Sequence, residues 1–257
     1  MRDQLGREVD ISWVPQRIIS LVPSQTELLV DLGLEDSIVG ITKFCIHPKR
    51  LRKERVLVGG TKTVKADKIK SLAPDIILCN KEENTEEMVM ELQEIAPVHV
   101  SDIKTLPEAL HMIGQYGEIF DVREKADKII ADIKFQEKDF REHIKNRPSF
   151  KVAYLIWKDP WMAVGKDTFI NHMLQLNNFE NIYSGSGSRY PNTTLTELEK
   201  ADLVLLSTEP YPFKEKHRDS LRNHFPEKRI EIVDGALFSW YGSRLRKSFT
   251  YFRSLEF

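Results

Sequence analysis

Short apolar runs alternate with amphipathic stretches along this chain. RIISLV (17–22), IVGIT (38–42), DIILCN (75–80) and VHV (98–100) are β-branched-rich runs of strand length, which the periodicity reads as buried strands. Between them, TELLVDLG is a helix stopped by Gly33, with Ser24 and Glu27 expected to form its capping box. KADKIKSLAP and TEEMVMELQEIAP are further helices, ended by Pro74 and Pro97. Parallel strands need such crossover helices, so the first part of the chain predicts an α/β lobe.

Two helices follow. Thr105 and Glu108 form the expected cap of the first, with Pro107 in its first turn. Asp121 and Glu124 mark the start of the second. Ala126, Ile129, Ile130, Ile133, Phe140 and Ile144 then recur at helical spacing without a glycine from 122 to 145. This predicts one long, stiff helix within 121–145, on the order of 30 Å in length. A second α/β pattern begins at KVAYLIW (151–157) and continues through TFINHMLQL, a helix capped by Thr194 and Glu197, DLVLLS (202–207), RIEIVD (229–234) and SRLRKSFTYFRSL. YSGSGSRYPN (183–192) carries turn chemistry and reads as a loop.

Composition changes this picture little. The 257 residues suit one large domain or two small ones. A hydrophobic share of 41% and a charged share of 30% are ordinary for a globular chain, and the net charge of -1 gives nucleic acid or anionic membrane no strong attraction. No apolar run is long enough to span a bilayer. The opening MRDQLGREVDISW has no apolar core of a secretory signal and no early cysteine for a lipid. The chain as encoded is therefore expected in the cytoplasm, unless a leader has been removed. Cys45 and Cys79 read as two free thiols.

Candidate chemistry concentrates in aromatic loops. Trp157 and Trp161 flank Lys158-Asp159-Pro160 after a strand, Tyr190-Pro191 lies in the Gly/Ser loop, and Trp240-Tyr241 precedes Gly242 and Arg244. Ligands of α/β sheets sit outside the strand carboxyl ends. Rings there offer flat apolar faces and Arg244 a planar donor fork, which suits a large, flat, partly polar ligand. Gly59-Gly60-Thr61 is a tight turn expected to turn backbone amides towards a cleft, and it lacks both phosphate-loop patterns. Cys45-Ile46-His47 has no second ligand pair at a useful spacing, so no protein metal site is expected. No G-x-S-x-G elbow or recognisable carboxylate pair is present, and no catalytic residue is assigned.

The opening RIISLVPSQTELLVDLGLEDSIVGIT, through Pro23, Ser24, Thr26, Glu27, Gly40 and Thr42, resembles that of the class III periplasmic substrate-binding proteins of the vitamin B12-binding type, the helical-backbone metal receptors. Gly59-Gly60, SLAPDIIL, IWKDPWMAVGKDTFINHMLQLNNFENIY and Tyr190-Pro191 extend the likeness over nearly the whole chain. The resemblance implies two Rossmann-like α/β lobes with mostly parallel sheets, joined by a long rigid helix, with the ligand in the cleft between lobes. The expected parts are an N-terminal lobe (1–103), a helical linker (104–148) and a C-terminal lobe (149–257).

The same resemblance implies a non-enzymatic protein that binds a corrinoid such as cobalamin, or another metal chelate, and hands it to an ABC importer permease dimer. It implies Phe44, Gly60, Trp157, Trp161, Tyr190, Trp240 and Arg244 as ligand-binding residues, no intrinsic cofactor, a monomer, and a periplasmic setting. Docking in the family uses one acidic residue on each lobe. Asp67 stands at the first place. At the second the sequence has Thr196, with Glu197 beside it as the substitute. A ferric siderophore or haem as ligand, a cytoplasmic corrinoid carrier or sensor, and a chelatase-like enzyme watched at His47 are the alternatives.

Overall fold

In the computed structural model, which describes residues 1–255, the stretches Met1–Ile103, Pro107–Phe135 and Trp240–Arg246 form one unit. The residues 104–106 and 136–239 and those from Lys247 onward form a second. The first unit is thus completed by a segment far along the chain, which a division by sequence at 103 and 148 does not express.

The first unit runs β1 (Ile18–Ser20), α1 (Pro23–Asp31), β2 (Ile38–Thr42), α2 (Leu51–Glu54), β3 (Val56–Gly59), α3 (Ala66–Ser71), β4 (Ile76–Asn80), α4 (Glu86–Gln93), β5 (Val98–Ser101), α5 (Leu106–Ile119) and the start of α6 (Arg123–Ile144). Its sheet has the order β3-β2-β1-β4-β5, and every pairing is parallel. All residues of β4 are buried, as a strand covered on both faces requires. Ile19, Leu21, Val58, Ile77, Cys79 and Val100 form one face of the core with Leu92 and Ile69 from the helices. Burying one such aliphatic side chain contributes about 1.5–3 kcal/mol. Strand order reverses between β1 and β4, and such switch points open a crevice at the strand carboxyl ends.

The expected Ser24–Glu27 capping box is not formed. The N-cap of α1 is Val22, without a side-chain hydrogen bond, and Pro23 occupies the first turn. Proline has no N–H to leave unsatisfied there. Glu27 is drawn instead into an ion pair with Arg244. The long helix is found as α6, one to two residues inside the expected span, and Asp121 lies before it in the left-handed region at φ 53°.

The second unit contains the rest of α6, β6 (Phe150–Trp157), β7 (Met162–Ala163), α7 (Phe169–Leu176), β8 (Phe179–Asn181), α8 (Leu195–Leu198), β9 (Leu203–Ser207), α9 (Glu215–His224), β10 (Arg229–Val233), α10 (Gly235–Ser239) and α11 (Leu245–Ser254), whose first two residues belong to the first unit. Strands β10, β9, β6 and β8 are parallel, and β7 runs antiparallel to the end of β6. Chain order therefore reverses at β6 and β9, giving this sheet its own switch point. The expected Thr194–Glu197 capping box is present on α8. On the helical side, Phe140 packs against Phe249 and Phe252 at centroid distances of 5.8 and 5.9 Å.

Candidate functional site

The first unit gathers polar and aromatic residues just beyond its strand ends. After β2, Phe44 is exposed (48%) and Cys45 turns inward. The Cys45 Sγ lies 3.1 Å from Thr26 Oγ1 and 3.3 Å from Thr42 Oγ1, which ties this loop to α1. Beyond β3, the Gly60 N–H donates to the Thr63 carbonyl at 2.8 Å. The expected tight turn is therefore present, but its Gly60 amide is used inside the turn rather than offered outward. What Gly60 supplies is room, since a Cβ there would lie 3.3 Å from the Phe44 ring.

Trp240 and Arg244 join the same unit. Arg244 donates from Nε to Glu27 Oε2 at 2.7 Å and from Nη2 to Glu27 Oε1 at 2.9 Å. Its guanidinium carbon stands 4.6 Å from the Trp240 ring centre, and Trp240 meets His47 edge to face at 5.5 Å. Gly242, at φ 105°, makes the turn between Trp240 and Arg244, a conformation glycine adopts without steric cost. The sequence showed Trp240 and Arg244 as neighbours; it did not show that Glu27 and His47 complete the set.

The second unit presents a larger aromatic group at the ends of β6 and β9. Trp157 is 41% exposed and meets Tyr211 at 5.5 Å. Tyr211 lies 4.7 Å from Phe213, and Phe213 stacks parallel to Trp161 at 6.0 Å. His217 closes the group: its Nδ1 accepts from the Lys214 N–H at 2.9 Å, and its Nε2 is 3.4 Å from the Tyr211 hydroxyl. Lys158 Nζ stands over the Trp161 ring at 5.6 Å. Tyr190 lies half-buried in the loop before Pro191, whose carbonyl accepts from the Ala163 N–H at 2.9 Å. Tyr211 and Phe213 were missed from the sequence, although the run PYPF directly after a strand was a usable signal.

Both cysteines are free and buried. Burial pushes Cys45 up, with Thr26 and Thr42 opposing in part, and pushes Cys79 up to about 12. A thiol is a ligand only as thiolate. Among the described residues no group of three His, Cys, Asp or Glu is placed to hold a metal ion, and no helix is long and apolar enough to cross a membrane. Asp67 is exposed on α3 and Thr196 on α8. The Glu197 carboxylate accepts from the Thr194 N–H at 3.0 Å and the Thr193 hydroxyl at 3.2 Å, so its charge is engaged in the cap.

The chain belongs to the periplasmic binding protein family, whose model matches residues 18–210. A substrate-binding lipoprotein of an ABC transporter from Bacillus subtilis, YvrC, is 32% identical over 183 residues, which is 68% of this chain and 57% of that protein. The chain thus spans little more than half the length of that relative. A vitamin B12-binding protein of Vibrio cholerae is 25% identical over 197 residues, 76% of this chain and 71% of its own length. Among solved structures, the periplasmic vitamin B12 binding protein of Vibrio cholerae matches with a TM-score of 0.80 and 18% identity, covering 94% of this chain and 96% of that one. The periplasmic heme-binding protein RhuT of Roseiflexus matches at 0.79 and 16% identity, over 93% and 97%. At these identities the structural likeness carries the fold.

Proposed function

We propose that this chain is the substrate-binding protein of an ABC importer and that its ligand is a corrinoid, bound and released without chemical change. The observation that carries the reading is Trp157, a large ring left 41% exposed at a switch point and backed edge-on by Tyr211. An indole held in that way offers an apolar face to a flat macrocycle at little conformational cost. Phe44 supplies a second exposed ring at the strand ends of the first unit, with Gly60 beside it. Trp161, Tyr190, Trp240 and Arg244 are assigned to the same ligand. The sequence relatives named as vitamin B12-binding proteins support a corrinoid over other chelates. Asp67 is the docking residue for the permease, and the place of work is outside the cytoplasmic membrane, as for the periplasmic and lipoprotein members of the family.

A second reading, haem or a ferric siderophore, is favoured by one feature: Lys158, Lys214 and Lys216 act on His217 beside the aromatic group, with Asp159 opposing, and the net positive charge there suits an anionic chelate. Titration with cyanocobalamin, cobinamide, haemin and a ferric siderophore, followed by absorbance shift, tests both. Saturable binding of the corrinoids alone supports the first reading. Saturation by haemin or the siderophore alone replaces it with the second, and no saturable binding of any of the four removes both.

A further inference from the structure

We infer that Glu27 is a positioning residue for the ligand face of the first unit, acting on Trp240 through Arg244. This rests on the reading that Trp240 contacts the ligand. Glu27 lies on α1, the helix that leaves the switch point, and both of its carboxylate oxygens are taken by Arg244 at 2.7 and 2.9 Å. A two-point carboxylate–guanidinium bond fixes the plane of the guanidinium as well as its position. The guanidinium carbon of Arg244 stands over the Trp240 ring, 4.6 Å from its centre. The indole is further fixed at its edge by His47, 5.5 Å away at 73°. Trp240 is thereby contacted by two groups, the Arg244 guanidinium that Glu27 of α1 holds and His47 of the loop after β2.

The intervening turn fits the same purpose. Gly242 at φ 105° brings Arg244 back under Trp240, and a Cβ at Gly242 would lie 3.4 Å from Leu28 Cβ, on the same helix as Glu27. The segment is thus seated directly on α1. Glu27, Arg244 and Trp240 are all largely buried, where a fixed hydrogen-bonded pair keeps its geometry instead of being loosened by water.

Three variants of the full chain test this: Trp240→Ala, Glu27→Gln and the double variant Glu27→Gln/Arg244→Gln. The double variant leaves no uncompensated buried charge, and so keeps the test alive if Glu27→Gln alone does not fold. Binding of cyanocobalamin and haemin is measured on the folded fraction, judged by circular dichroism. In parallel, acrylamide quenching is read in a Trp13→Phe/Trp157→Phe/Trp161→Phe background, which leaves Trp240 as the sole indole. The inference expects Trp240→Ala and the folded Glu27 variants to weaken the binding ligand by about tenfold or more. It also expects Trp240 to become more accessible to quencher when Glu27 is replaced. Normal affinity in Trp240→Ala overturns the ligand reading of Trp240 and the inference with it. Weakened Trp240→Ala beside normal affinity and unchanged quenching in the Glu27 variants overturns the inference alone.

Discussion

The indole of Trp161 and the ring of Phe213 lie parallel, 2° apart in plane and 6.0 Å between centres. Phe213 is 3% exposed and belongs to the core of the second unit. Trp161, proposed as a ligand contact, is therefore also packed against the core, whereas Trp157 is 41% exposed. Replacement should separate the two roles. Trp157→Ala is expected to leave the melting temperature within a degree or two and weaken the ligand by about 1–3 kcal/mol. Trp161→Ala is expected to lower both stability and affinity. Equal melting shifts in the two variants, by differential scanning fluorimetry, would contradict this division.

Acid sensitivity should trace to His99. It is buried in β5 against Tyr116, at a ring distance of 5.5 Å, and burial lowers its pKa to about 4, with the nearby Asp3 opposing. The unfolded chain takes up this proton near pH 6.5 and the folded chain only near 4. Stability is then full above about pH 6.5, falls as pH drops between the two values, and levels off below. The size is at most roughly 3 kcal/mol. Urea denaturation across pH 4–7 measures it. A His99→Gln variant with the same slope as the parent would assign the acid sensitivity elsewhere.

How far the sequence foresaw this molecule depends on the range of each interaction. Strands such as Ile76–Asn80 were legible because a buried parallel strand is apolar at every position. Helix α9 was not, since EKHRDSLRNH buries only His217 and Leu221 and shows no apolar stripe. Strands β7 and β8, of two and three residues, are too short to display a period. The site was legible in its rings and not in their supports. Glu27 followed a serine at the spacing of a capping box, and nothing local announced that Arg244 would claim it.

Permease docking should be limited by Thr196. It is an exposed, uncharged residue on α8, and its acidic neighbour Glu197 is held by Thr193 and Thr194. Thr196→Glu is expected to strengthen capture by a vitamin B12-type importer by about thirtyfold or more, since a missing partner charge at an interface costs about 2–5 kcal/mol. Asp67→Asn should weaken it. Surface plasmon resonance on the importer in nanodiscs reads both. Tight capture of the parent chain, insensitive to Thr196→Glu, would place the contact on another surface.

Gly235 should tolerate no side chain. An added Cβ would sit 2.3 Å from Ser207 Oγ and 2.6 Å from Glu209 Cγ. Ser207 also donates to the Glu209 carbonyl and accepts from the Tyr154 hydroxyl at 3.2 Å, so it has no slack to give. Gly235→Ala is expected to cost about 1–3 kcal/mol and to disturb the loop that leads to Tyr211. Chemical denaturation measures the first, and a parent-like midpoint would show that the loop yields freely.

The return of residues 240–246 to the first unit sets an order of assembly during synthesis. Glu27 and Arg244 are 217 positions apart. When α1 and its sheet leave the ribosome, the guanidinium that will neutralise Glu27 has not been made, nor has the indole that Arg244 supports. Both arrive only after every strand of the second unit has been translated. Until then the first unit can pair its strands, whose contacts are closer in sequence, but must keep the Glu27 carboxylate hydrated. Closing so long a loop is entropically unfavourable and comes late. A nascent chain stalled before residue 240 would thus hold all five strands of the first sheet while lacking Trp240 and Arg244 on it.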